Sequence, residues 1–185
     1  RLVGSEMCIR DRVDTDYAGC KETRKSTNGG MIRVGKHMIK TWSNTQSVIA
    51  LSSGEAEYYG VVRGASVALG MKALLGDMNV KGEIAINSDA SAAIGIARRR
   101  GLGKVRHIEV NQLWVQEKVA RGEIRIEKVG TDQNLADALT KAVDKKKIEW
   151  HMKHTAQHIA SERHVLSPRI DEGSEIRYGN EQYKN

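Results

Sequence analysis

The sequence predicts an α/β fold: a mixed sheet flanked by helices, followed by a polar C-terminal tail. Three observations predict it. The first part of the chain is rich in β-type runs and contains a hairpin signal. Strand–helix–strand units come after it. An apolar run at 84–86 ends on a lone acid, Asp89, directly before a helical stretch. The carboxyl end of a strand facing a helix start is where open α/β sheets place ligands and metals. For one acid taken alone, helix N-capping is the plainer role.

In chain order, residues 1–12 show no clean period and are expected to be foreign to the domain beginning at Val13, the mark of a truncation or an assembly scar; residues 10–12 are poor material for a strand interior. A first strand is read through 13–17, to which Ile9 can still contribute. Runs at 30–34 and 37–42, joined by Gly35-Lys36, suit a tight hairpin. Ser52 and Glu55 have capping-box spacing and open a helix over 53–75, with Val61, Ala65, Ala68, Leu69 and Leu75 on its inner face. A strand at 84–88 leads into a short helix ending at Ala97. A basic loop over 98–106 carries Arg98, Arg99, Arg100, Lys104 and Arg106. A helix is read over 107–121, stopped by Gly122. Strict alternation over 123–129 predicts a half-buried strand. A last core helix is read from Gln133 to Val143.

From Asp144 the texture changes. This tail holds His151, His154, His158 and His164, and the first three fall at i, i+3, i+7 on one face of a solvated helix, a metal or RNA role being the alternative. Beyond Ser167 few apolar residues remain, and disorder is expected.

The composition narrows the function. Net charge is +7, which favours a polyanionic partner. With no Phe, three Trp and five Tyr, base stacking on aromatics is a poor basis for binding. Two cysteines, Cys8 and Cys20, build no disulfide framework and fit a reduced, intracellular compartment. No run approaches the roughly 18 apolar residues of a membrane span, so no membrane partner is expected.

Three further acids can join Asp89. If the first and fourth strands are parallel neighbours joined by the long helix, Asp14 and Asp89 emerge at one sheet edge. Glu57, early in that helix, can point back at them. Asp137, after the last strand, can reach them from the flank. Carboxylates gathered so closely repel unless cations lie between them, and oxygen-only ligands suit Mg2+ or Mn2+. Separate capping and surface roles are the alternative for each acid.

Several motifs, in order, resemble the RNase H domain of copia-type LTR retrotransposon Pol polyproteins. Val13-Asp14-Thr15-Asp16-Tyr17-Ala18-Gly19 resembles its Asp-x-Asp-Trp-Ala-Gly opening. Arg24-Lys25-Ser26-Thr27-Asn28-Gly29 is similar to its Arg-Lys-Ser-Thr-Ser-Gly. The stretch from Trp42 through Gln46 and Ser52-Ser53-Gly54-Glu55-Ala56-Glu57 to Tyr58 resembles its Trp-x-Ser-x-x-Gln…Ser-Ser-x-Glu-Ala-Glu-Tyr. Leu135-Ala136-Asp137-Ala138-Leu139-Thr140-Lys141 resembles its closing Leu-Ala-Asp-x-x-Thr-Lys. The match spans 13–143, between the N-terminal segment 1–12 and the His-rich tail 144–185.

The resemblance implies an RNase H-like fold with a five-stranded mixed sheet. It implies cleavage of the RNA strand of RNA–DNA hybrids with two Mg2+ ions, Mn2+ being a substitute. It places Asp14, Glu57, Asp89 and Asp137 on the family's four metal-binding, catalytic carboxylates, with Asp16 on the family's second Asp. It implies reverse transcriptase and integrase regions as neighbours in a parent polyprotein. Ser52 and Ser53 become candidate sugar or phosphate contacts, and Arg98, Arg99, Arg100, Lys104 and Arg106 candidate phosphate contacts, a solvated basic loop being the alternative for that cluster.

The chain departs from the family at four places: Tyr17 stands for Trp, Ala90-Ser91 for Asn-Gln, Gly130-Thr131-Asp132 lacks the His-bearing loop that cellular RNases H place before the last acid, and the family's usual lead-in before the first Asp is missing. Two other readings compete: an inactive RNase H-like module that only binds nucleic acid, and a transposase or integrase of the same superfamily, which the Leu-Ala-Asp-x-x-Thr-Lys ending disfavours.

Overall fold

The computed structural model describes residues 7–35, 37–103, 107–155 and 157. Its centre is a five-stranded sheet. In chain order the strands are β1 (Met7–Asp16), β2 (Thr27–Val34), β3 (His37–Thr45), β4 (Gly82–Ser88) and β5 (Ile124–Lys128), and their order across the sheet is β3-β2-β1-β4-β5. β1–β2 and β2–β3 are antiparallel, whereas β1–β4 and β4–β5 are parallel. The parallel pairs need crossovers, and helices supply them. The helices are α1 (Ser53–Asp77), α2 (Ser91–Arg98), α3 (Trp114–Ala120) and α4 (Lys145–His154). The mixed α/β architecture expected from the sequence is the one observed.

Alternation along β1 sorts its side chains between two faces. Asp11, Val13 and Thr15 face α1. A Cβ on Gly60 would stand 2.6 Å from Thr15 Oγ1, and one on Gly64 2.6 Å from Val13 Cγ1. Those two glycines let the long helix lie close against the central strand. Ile9, Val13, Ile32, Tyr58, Val61, Ala65, Ile84, Ile86 and Val115 form the core of this layer, all of them buried. Asp14 belongs to the opposite set of β1 side chains, and the segment after β5 packs beside that end of β1 and β2.

Three local expectations are corrected. The central strand starts at Met7, so residues 10–12, read as poor strand material, lie inside it. β1 is hydrogen-bonded on both flanks, Asp11 standing opposite Ile32 and Ile86, and this pairing overrides the poor propensity of its charged residues. The helix read over 107–121 starts only at Trp114. Before it, Tyr58 Oη donates to Gln112 O at 2.9 Å and the chain forms a 3-10 turn at Val110–Gln112. The last core helix, 133–143, is not α-helical: it is two 3-10 turns, Thr131–Gln133 and Leu135–Leu139. Asn134 and Thr140 bond locally at the two ends of the second turn, and such side-chain bonds compete with the α-helical ladder.

The start of the polar tail also packs on the domain. Asp144 caps α4, and His151 is turned inward, its Nδ1 3.0 Å from Leu135 O. His154 is exposed and pairs with Trp150 O, so these two histidines do not share one environment. His158, His164 and the rest of the tail lie outside the described residues, as do Lys36, Lys104 and Arg106.

Candidate metal centre and nucleic-acid groove

The register of the sheet brings the first two acids level. The last parallel pair between β1 and β4 is Arg12 with Asn87. Asp14 and Asp89 each lie two residues beyond it, on one side of their strands and at one edge of the sheet. Glu57 sits in the second turn of α1, whose start is fixed by the capping box: Ser52 Oγ accepts from Glu55 N at 3.2 Å, and Glu55 Oε2 accepts from Leu51 N at 2.7 Å. Asp137 comes from the 3-10 turn beyond β5 and is only 2% exposed.

The four acids form one electrostatic group. Burial, with Asp137 and Asp89 adding repulsion, raises Asp14 above the ordinary carboxylate range; a hydrogen bond from Thr140 Oγ1 opposes the shift. Burial raises Glu57 to about 8, and Asp14 and Asp89 contribute repulsion. Glu57 Oε2 is buried with no hydrogen-bond partner among the described residues. An orphaned carboxylate oxygen beside further acids, with oxygen as the sole donor type, fits a hard divalent cation. Asp137 behaves differently. Burial pushes its carboxyl up, but the ammonium groups of Lys141 and Lys147 together outweigh that and hold it below the usual range. Lys141 Nζ lies 2.5 Å from Oδ1, and Lys147 Nζ pairs with Oδ2. As the side chains stand, no three Asp, Glu, His or Cys groups among the described residues are arranged to hold a metal ion.

The residues that seat these acids were not singled out from the sequence. Asn134, 1% exposed, donates to Val13 O at 2.9 Å and to Asp89 Oδ1 at 3.3 Å, tying the turn before Asp137 to both strands. Gly29 pairs with Asp14 across the sheet, and a Cβ there would stand 2.6 Å from Thr140 Cγ2; the bare backbone is what lets Thr140 reach Asp14. Gln46 Nε2 donates to Asn28 Oδ1 at 2.6 Å and to Ala56 O at 2.8 Å, fastening the start of α1 to β2 next to Glu57. A signal existed for three of these residues, since Gly29, Gln46 and Thr140 lie within the family-like motifs. Lys147, from α4, lay outside every motif.

Of the candidate nucleic-acid contacts, Ser52 and Arg99 line a groove with Gly54, Ser91 and Gly95, where the starts of α1 and α2 meet. Ser53 is exposed at the head of α1. Arg98 donates to Ile126 O and Arg99 to Leu102 O, so part of each guanidinium is committed to the backbone. Arg100 is exposed. Just after the basic loop, His107 Nε2 lies 2.9 Å from Oε2 of the buried Glu55. Among the described residues no helix is long and apolar enough to cross a membrane.

No family model matches the chain. It is similar to the retrovirus-related Pol polyprotein from transposon TNT 1-94 of Nicotiana tabacum, with 29% identity over 148 residues, 79% of this chain. It is also similar to the one from transposon RE1 of Arabidopsis thaliana, with 28% identity over 145 residues, 77% of the chain. The chain spans only 11% and 10% of those relatives' lengths. Among solved structures it resembles the N-terminal RNase H domain of a Mycobacterium tuberculosis protein, at 17% identity and a TM-score of 0.50, covering 80% of this chain and 98% of that one. The homologues are thus Pol polyproteins of plant transposons, the copia-type class that the sequence motifs resemble, and the fold is RNase H-like.

Proposed function

We propose that this chain, a homologue of retrovirus-related Pol polyproteins with an RNase H-like fold, is an endoribonuclease that cuts the RNA strand of RNA–DNA hybrids. The observation that carries the reading is the gathering of Asp14, Glu57, Asp89 and Asp137 around one sheet edge, with a buried, unpartnered oxygen on Glu57. These four carboxylates are the catalytic residues and would hold two Mg2+ ions, or Mn2+ in their place. Such a pair of ions supplies an activated water and stabilises the departing oxygen in phosphodiester hydrolysis.

The chain's own residues set the stage for that chemistry. Asp14 and Asp89 present oxygens at the level fixed by the β1–β4 register. Asn134 and Thr140 orient them by hydrogen bonds. Glu57 is held at the edge by the capping box and by Gln46. Ser52, Ser53 and Arg99 meet sugar and phosphate groups where α1 and α2 begin, with Arg98, Arg100, Lys104 and Arg106 as further phosphate contacts. Contacts of this kind read shape and 2′-hydroxyls rather than sequence. The unit that carries the activity runs from β1 to α4. It acts beside the reverse transcriptase and integrase regions of a parent polyprotein, inside the cell.

The second reading, an inactive hybrid-binding module, is favoured by one observation: both oxygens of Asp137 are engaged by lysines. The deciding experiment is cleavage of an end-labelled RNA–DNA hybrid in Mg2+ by wild type, Asp89→Asn and Asp137→Asn. Cleavage by wild type, lost in EDTA and reduced at least ~100-fold in each variant, is the expected outcome. A folded wild type that binds the hybrid without cutting it would establish the inactive module instead.

A further inference from the structure

Asp137 is nearly sealed from solvent, and each of its oxygens faces an ammonium group. Lys141 comes four residues after it and is half exposed. Lys147 comes from α4, a separate element with its own moorings. Asp144 Oδ1 accepts from Lys147 N at 2.8 Å and starts the helix. His151 Nδ1 meets Leu135 O at 3.0 Å, and Thr155 is buried at the helix's end. Arg33 Nη1 donates to His154 O at 3.3 Å. α4 is therefore docked by contacts that do not involve Asp137, and its first turn aims one cation into the carboxylate group.

We propose that Lys147 is a resident counter-cation of this centre, which makes metal loading depend on the hybrid. The inference rests on the metal-centre reading of the four acids. A divalent cation bound at Asp137 Oδ2 repels an ammonium group in contact with that same oxygen, so a metal ion there drives Lys147 off it. In the free protein the displaced ammonium has lost its anion. With a hybrid bound, a phosphate oxygen at the same edge replaces it, as a charge-assisted contact. Hybrid binding thus removes the competitor, and metal binding frees a phosphate ligand. The two affinities are coupled, and the coupling is reciprocal. Lys147 acts through Asp137 in the free protein, as a positioning residue.

The test is calorimetric titration with Mn2+ of wild type, Lys147→Met, Lys147→Arg and Lys153→Met, each alone and with a cleavage-resistant 2′-O-methyl RNA–DNA hybrid. Lys153 is exposed on the same helix and serves as the control. Without hybrid, Lys147→Met is expected to bind Mn2+ ~5-fold or more tightly than wild type. Its further tightening on adding hybrid is smaller than that of wild type. Lys147→Arg, which keeps the cation, and Lys153→Met behave as wild type. Equal Mn2+ affinity in Lys147→Met and wild type, with Asp89→Asn weakened, overturns this inference and leaves the metal centre standing. Wild type that binds no Mn2+, or binds it no better than Asp89→Asn, overturns both.

Discussion

Glu57 is a carboxylate whose burial costs the protein stability in the absence of a cation. Its pKa in the fold is about 8, against an ordinary 4.5. Between those values the folded state holds a proton that the unfolded chain releases. Stability therefore falls as pH rises from about 4.5 to about 8, with a loss on the order of a few kcal/mol. In EDTA, the urea midpoint of wild type should drop from pH 5 to pH 8, while Glu57→Gln should show much less of that drop. Parallel profiles for the two proteins would count against the burial argument. Divalent metal at pH 8 should restore the wild-type midpoint, because the cation replaces the proton.

At the level of elements, β1 carries a defect. Asp11 is fully buried between the sheet and α1, burial raises its carboxyl well above the usual range, and neither oxygen has a partner among the described residues. An apolar side chain of similar size removes an unsatisfied polar group. Asp11→Val should stabilise the fold by about 1–3 kcal/mol, measured by urea unfolding. The sequence pattern marked residues 10–12 as unsuited to a strand, and the chemistry of that objection stands; what the pattern could not weigh was pairing on both flanks of the strand. The same limit explains the other misreadings. α1 and the strand–helix unit β4–α2 were legible because their periods are clear and their boundaries local. The turns at Leu135–Leu139 were not, because Asn134 and Thr140 take their partners partly from β1, far away in the sequence. The four acids were found through motifs, whereas Lys147 reaches Asp137 through the docking of α4, which no local pattern encodes.

Across the whole molecule, the +7 net charge sets how binding responds to salt. Hybrid affinity should fall linearly on a log–log plot, by about 0.7–0.9 per phosphate neutralised. Arg100 is exposed in the basic loop, whereas its neighbours Arg98 and Arg99 are partly committed to backbone carbonyls. Arg100→Gln should reduce the magnitude of that slope by ~1 and weaken binding evenly across hybrid sequences. An unchanged slope in a binding titration would remove Arg100 from the contact surface.

Thr140 is 126 residues later in the chain than Asp14, whose oxygen it holds. A ribosome that has already released the central strand's acid must translate that whole interval before its hydrogen-bond donor exists, and then α4 as well. During synthesis the sheet's first three strands can pair while the carboxylate group is still in pieces. At ~5–20 residues per second, that leaves several seconds in which the nascent protein holds part of its scaffold and none of its assembled centre. The order of translation itself makes this centre assemble later than the strands that carry its first acid.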